Sequence, residues 1–462
     1  MGNVIASITG KAPATPAAPM LQPSIAGDLN EIKSIIGRHI ASCSPLNSVT
    51  DRIIYKRTLQ ILVNESDASG NTALIGAAFS GHLDICKYLL EECGADLTVK
   101  NKIGCSALWI ASGYGHVDVL NYLIQFVKKF DGKKNEQEKG KDGEVDGDDD
   151  GDGDDKKLEL NLYQLLTEGN SSGDTPFLAA VSKGHDEIVK ILFAASDAED
   201  GSSSSSSSGD DGYDNDNDNS NGNSNNGNSN NSNSDSNAWK LLSTTNNGGD
   251  TPLAVAVGMG FDGPLLHTLL DAEEKLFKNG HDGDGDGNGN GNGDQNENEN
   301  AQIRRRRRPL HSRNSKGLTP LLVACERNFK SIAETLVQRG ADLSERDEKN
   351  RSPLAIASFC GCIDVVTYLL SIRGGSDNGA GTTDGKLMDL DLNGQDENGC
   401  TALWLAARTG NLKMVELLIN AGGVDESIEN KDGLSPQAAA IKYGKQQVID
   451  FFSSSASSSS SS

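Results

Sequence analysis

No run of apolar residues in the 462-residue chain is long enough to span a bilayer, and no secretory signal precedes residue 30. No two of the eight cysteines, at 43, 86, 93, 105, 325, 360, 362 and 400, stand at C-x2-C spacing. Zinc and dithiol motifs are therefore unsupported, and the thiols read as reduced core residues of an intracellular protein. No phosphate loop is present, because Gly385-Lys386 is followed by Leu387 where a magnesium-holding hydroxyl is needed. Gly258-Met259-Gly260-Phe261-Asp262-Gly263 has the letters of a dinucleotide loop but follows a helix instead of a strand. Two stretches, from Asp146 and from Asp282, begin like calcium loops. Their twelfth positions are Lys157 and Gly293, where a bidentate Glu is required, which leaves only weak nonspecific divalent binding. No constellation of nucleophile, base and acid emerges. The expectation is a chain with no catalytic residues, no cofactor and no metal site.

Basic residues are short relative to acidic ones, 42 against 66, for a formal net charge of −24. The imbalance is local. Asp and Glu outnumber Lys and Arg by 12 to 6 in 131–157, 9 to 0 in 197–237, 9 to 2 in 271–300 and 6 to 2 in 373–397. These excesses account for the whole net charge and leave the rest close to neutral. The same stretches are rich in Asp, Gly, Ser and Asn and nearly free of aromatics, so they cannot bury enough apolar area to offset ordering entropy and are expected to be disordered. They are either neutral expansions in permissive loops or an acidic fringe that repels anionic partners and attracts basic ones. No nucleic-acid partner is expected.

What remains between them repeats. A phrase of Thr or Ser, a small-residue run, a Gly and an apolar-periodic run opens at Thr72, Ser106, Thr175, Thr251, Thr319, Ser352, Thr401 and Ser435, in steps of 34, 69, 76, 68, 33, 49 and 34 residues. The longer steps are the 33- to 34-residue unit plus an insertion. Thr or Ser caps a helix by accepting from free backbone N–H groups, and Pro directly after it suits the first turn. Gly81, Gly115, Gly184, Gly260, Gly361, Gly410 and Gly444 mark reversals after the first helix, and Asn328 takes that place once. Second helices show pairs at helical spacing, Ile85/Leu89, Val119/Leu123, Ile188/Leu192 and Val415/Leu418/Ile419. Each face is too small to be a core alone, so the units must stack.

Thr175-Pro176-Phe177, Thr251-Pro252-Leu253, Thr319-Pro320-Leu321 and Ser352-Pro353-Leu354 resemble the Thr-Pro-Leu-His opening of ankyrin repeats. Gly81-His82, Gly115-His116 and Gly184-His185, and the closing Gly94-Ala95-Asp96 and Gly340-Ala341-Asp342, extend the likeness over roughly 70–452 less the inserts. The resemblance implies an all-α solenoid of helix-turn-helix units with projecting turns. The resulting layout is a leader at 1–20, a partial or capping unit at 21–65 with its opening lost, repeats at 66–130, 158–196, 238–270, 309–372 and 393–452, and a serine tail at 453–462. Inserts occupy 131–157, 197–237, 271–308 and 373–392. His82, His116 and His185 are expected to bond neighbouring backbone. Ser435-Pro436-Gln437 with Lys442, Lys445 and Gln446 reads as a polar C-terminal cap.

The resemblance also implies a concave protein-binding face, made by the turns and the exposed end of each first helix. Alignment places Phe79, Tyr114, Arg327, Phe359 and Arg408 there, residue types enriched at binding hot spots. Trp109 and Trp404 stand where the family's opening His would be, either packing between first helices or meeting a partner. The function implied is a non-enzymatic protein-interaction scaffold or adaptor, or else a regulatory or substrate-adaptor subunit of an enzyme supplied in trans.

The N-terminus, Met1-Gly2-Asn3-Val4-Ile5-Ala6-Ser7, resembles an N-myristoylation site at Gly2, with Ser one place later than the pattern asks. The alternative is an unstructured Ala/Pro-rich leader. One acyl chain gives weak, reversible membrane association, and Lys11 is the only nearby base. The Arg304–Arg308 run is a lipid-attracting patch, a nuclear import signal or a solvated loop end. The compartment expected is cytoplasmic with membrane association or nuclear entry left open.

Overall fold

The computed structural model describes residues 18–41, 49–138, 161–200, 237–279, 308–373 and 390–459. Gly2, Cys43, Arg304–Arg307 and most of the four inserts lie outside the described residues.

The eight hydroxyl residues each precede a helix of seven or eight residues. In seven of them the side chain accepts a hydrogen bond from the N–H three residues on, from Ile75 on Thr72 at 3.4 Å to Ala355 on Ser352 at 3.1 Å. Thr319 is the exception, since its buried hydroxyl has no partner and the helix start there rests on Pro320. The reversal residues take left-handed backbone, Gly81 at φ +78° and Asn328 at φ +59°. Asn can stand in that region at little cost because its short polar side chain bonds locally. The Asn328 side chain bonds to the next unit instead, Oδ1 accepting from Val365 N–H at 3.3 Å and Nδ2 donating to Asp364 Oδ2 at 2.8 Å.

A second helix returns beside each first one, and its expected apolar pairs are buried, except that Ile419 is only half-buried while Met414 takes the interior place. First helix packs on first helix along the whole series. One buried apolar cluster consequently runs from Met20 to Phe452. Among the described residues there is no strand, only an isolated bridge between Lys100 and Ser106.

The N-terminal unit keeps more than the sequence suggests. Its hydroxyl cap is missing, Met20 making no side-chain bond at that place, yet a short first helix, Leu21–Ala26, is present and packs on Ala73–Ser80. The reversal Gly27 and a second helix, Leu29–Ala41, follow. A further helix, Val49–Val63, buries Leu59, Leu62 and Val63 and leaves Ile53, Ile54 and Ile61 exposed.

Ahead of each cap lies a turn organised by one Asp or Asn: Asp67, Asn101, Asn170, Asn246, Asn314, Asp347, Asp396 and Asn430. The side-chain oxygen of each accepts from two backbone N–H groups, two and four residues on. This local bonding fixes the turn without help from a sheet. Neighbouring turns then bond to one another, Lys102 N–H to Ser69 O at 2.9 Å and Ser171 N–H to Ile103 O at 2.9 Å.

Second helices Val117–Glu138, Asp186–Asp200 and Pro264–Asn279 run past residues 130, 196 and 270, where the sequence reading begins its inserts. Lys, Gln, Glu and Ala there are good helix formers, so a helix can overrun its buried portion. The chain re-enters through short elements absent from the sequence reading, Leu162–Thr167, Asn237–Ser243 and the 3-10 turn Pro309–His311, each burying leucine.

Candidate partner-binding face

Numbering from the cap residue makes the face explicit. Positions seven and eight end each first helix, just before the reversal. They hold Phe79 and Ser80, Gly113 and Tyr114, Ser182 and Lys183, Gly258 and Met259, Glu326 and Arg327, Phe359 and Cys360, Arg408 and Thr409, and Lys442 and Tyr443. Met259 is 58% exposed, Tyr443 42% and Phe359 38%, whereas position six is buried in every unit but the last, where Ile441 is exposed.

The expected residues do not all stand equally free. Phe79 and Tyr114 are half-buried and lie edge to face, ring centroids 4.7 Å apart, so much of each ring is covered by the other. Arg327 is exposed but donates from one guanidinium nitrogen to Gly258 O at 2.8 Å. Arg351 lies 5.9 Å from the Phe359 ring centroid and is neutralised by Asp347, 2.6 Å away. Arg408 stacks over two rings, 5.2 Å from the Tyr443 centroid and 5.9 Å from that of Trp404.

Trp109 and Trp404 are placed inside the stack, 4% and 3% exposed, and so leave the set of partner-facing residues. Each indole N–H reaches the carbonyl just before the next unit's cap, Trp109 to Asp174 O at 2.7 Å and Trp404 to Leu434 O at 2.9 Å. A buried indole needs such an acceptor, and the next unit supplies it. The acceptor of Trp109 lies 65 residues away in sequence, which local reading could not find.

A neighbouring column explains the histidines. His116 Nε2–H donates to Phe79 O at 2.8 Å, His82 Nε2–H to Ile25 O at 3.2 Å, and His185 bonds the Gly113 backbone. Each acceptor is the carbonyl two residues before the reversal glycine of the preceding unit, and burial holds His185 below the usual histidine range. Phe329 holds the same place in the Thr319 unit and has no donor, so Arg327 supplies one. In the Ser352 unit Cys362 Sγ takes the role, 3.6 Å from Glu326 O.

All the described cysteines except Cys360 are buried without disulfides, and burial pushes the Cys86 and Cys105 thiols to about 12. Among the described residues no group of three His, Cys, Asp or Glu could hold a metal, and no helix is long and apolar enough to cross a membrane. Arg308, the last of the arginine run, is not a solvated loop end. It pairs with the buried Glu273 at 3.0 Å and lies over Phe277 at 4.7 Å.

A family model described as ankyrin repeats, three copies, matches residues 39–138, 297–381 and 385–459, more than half of the chain. The chain belongs to the ankyrin-repeat family. Among curated proteins, this ankyrin array is 32% identical over 141 residues to an ankyrin repeat protein of fowlpox virus, covering 30% of this chain and 86% of that protein. It is 28% identical over 145 residues to the tyrosine-protein kinase HTK16 of Hydra vulgaris, covering 31% of this chain and 17% of the kinase. Against NF-kappa-B inhibitor alpha of Sus scrofa it is 34% identical over 113 residues, 24% of this chain and 33% of the inhibitor. The last two likenesses span a third or less of those proteins. Ankyrin repeats are interaction units, and the array is a protein–protein interaction scaffold in that general sense.

Proposed function

We propose that the array is a non-enzymatic adaptor that holds a protein partner on the concave face lined by positions seven and eight. One observation carries this reading: these positions present unlike side chains to solvent, Met259, Phe359, Arg408 and Tyr443, on helices whose other positions are committed to a repeated frame. Stability does not require that column to be large, aromatic or charged, so its composition is free to serve contact.

The test is proximity labelling with affinity purification, comparing wild type with a Phe79/Tyr114/Phe359/Arg408 alanine variant. A discrete protein set lost in the variant supports the reading. An identical set in both would move the binding surface to the inserts or the termini. Gly2→Ala in the same comparison reports whether acylation governs which proteins are met.

A second reading, a regulatory or substrate-adaptor subunit acting on an enzyme in trans, draws support from the likeness to a protein named as an inhibitor, NF-kappa-B inhibitor alpha. Copurification of a ligase or kinase subunit would favour it. A cytoskeletal or membrane-protein partner would favour simple scaffolding.

A further inference from the structure

The last two units bring an exposed cation and two aromatic rings together on the face. Arg408 is exposed and no carboxylate lies within ion-pair distance of it among the described residues, in contrast to Arg351, which Asp347 neutralises. Its guanidinium lies against the Trp404 and Tyr443 rings, which themselves meet edge to face at 6.4 Å, so its position is set while its N–H groups stay available. Lys442 adds a second cation 6.0 Å from the Tyr443 centroid and meets Asp432 only at 3.9 Å. Phe359, one unit earlier in the same column, is exposed apolar surface. Adjacent first helices stand roughly 8–10 Å apart, about the span of three residues of extended chain.

We propose that this end of the face binds an acidic linear segment of a partner protein that also carries an apolar side chain. Its carboxylates pair with Arg408 and Lys442 while its apolar residue covers Phe359 and Tyr443. The proposal rests on the concave-face reading and deepens it by naming the partner's chemistry. Of the chain's own acidic stretches two are a poorer match, whereas 374–389 carries Leu387 and Met388 beside its acids. Residues 201–236 hold Tyr213 as their only large apolar side chain and 280–307 only Ile303 and a run of arginines. They can satisfy the charge but not the rings. Those two stretches thus act as weak competitors that a segment with both features displaces.

The experiment is fluorescence anisotropy with the full chain and three labelled twelve-residue peptides: Asp/Glu with interspersed Leu, the same peptide with Lys in place of Asp/Glu, and an Asp/Gly peptide of equal charge. The expected result is binding of the first alone, weakened about tenfold or more by Arg408→Glu and by Tyr443→Ala. Arg408→Gln, which keeps the aliphatic packing on Trp404, should lose affinity in the same direction, and circular dichroism should show all three variants folded. Equal binding of the Lys peptide, equal binding of the Asp/Gly peptide, no binding, or indifference to Arg408→Glu would each overturn the proposal. A Met259→Ala/Arg327→Ala variant in the purification assay separates the two readings. If it loses native partners while Arg408→Glu keeps them, the concave face stands and this site does not.

Discussion

Between the Thr72 and Ser106 units the chain passes directly, with the two caps 34 residues apart; between Ser106 and Thr175 the step is 69. The contacts that close the two junctions are nevertheless the same. A turn-to-turn hydrogen bond of 2.9 Å spans each, and a histidine of the later unit bonds the position-seven backbone of the earlier one. Register is thus set by side chains and turns that meet in space, and chain continuity contributes little to it. Loop-closure entropy agrees, since each doubling of a loop costs only about 0.6 kcal/mol. Where the insert is long, extra devices appear. At the Thr251 to Thr319 junction Glu273, on the helix that leaves, pairs with Arg308, on the segment that returns.

The most severe way to break this comparison is to put a charge where both kinds of junction depend on one core. Leu321 is fully buried. Leu321→Asp is expected to unfold at least the neighbouring units, read as lost helical signal and a lowered Tm. Unchanged melting would mean that the Thr319 unit is assigned in the wrong register.

Next in size is Arg308→Ala, which leaves the buried Glu273 without its cation and should cost about 3–5 kcal/mol at neutral pH. Burial holds the Glu273 carboxyl above its ordinary range even with Arg308 opposing. A raised acid contributes stability in full below the unfolded value of 4.5 and loses it as pH rises through the folded one. The deficit of the variant should therefore shrink as pH falls from 7 towards 4, which urea melts at several pH values would show. A deficit independent of pH would assign the effect to lost packing on Phe277.

The comparison sharpens at the reversals. A Cβ on Gly81 would lie 2.5 Å from His116 Nδ1 across a direct junction, and one on Gly184 would lie 3.1 Å from Phe261 across an insert-bearing one. Gly340 has φ +93° and nothing within 4 Å, so it isolates the backbone cost. Thermal melts should place Gly340→Ala at about 1–2 kcal/mol. Gly81→Ala and Gly184→Ala should lie about 1–3 kcal/mol beyond it. A large gap between those two would show that junction type matters after all. The smallest effect is expected from removing half of 201–236, about 0.6 kcal/mol of stabilisation by chemical denaturation. A loss of several kcal/mol would make that segment part of the frame.

The legible portion of the fold was the part written locally. Hydroxyl caps, the Pro after them, the left-handed Asn328 and the bonding of the histidines all depend on residues within one unit or on a repeated neighbour, so the repeat exposes them. The Asp and Asn turns were also written at a fixed place before each cap, and a reading aimed at helices passed over them. What could not be read depends on partners distant in sequence. Trp109 and Trp404 differ from a partner-facing aromatic only through the carbonyls of Asp174 and Leu434, and Arg308 differs from its arginine neighbours only through Glu273. For the face itself, the column that the sequence singles out falls at the ends of the first helices, but the state of each residue there was not legible. Phe79 covers Tyr114, Arg327 serves Gly258, and Arg408 is left with its charge free of a carboxylate among the described residues.

Position six of the unit carries a consequence for assembly. Ala78, Ser112, Val181, Val257, Cys325, Ser358 and Ala407 are all fully buried there, and Ile441, in the Ser435 unit, is 58% exposed. Head-to-tail contact between units is heterologous: each unit's front fits the next unit's back, and the operation relating them is a screw that does not close on itself. Such a geometry contains no stop of its own and would in principle add units without limit. A stop would have to be written in side chains, and the exposed Gln437, Lys442 and Gln446 stand in the unit that carries the uncovered Ile441.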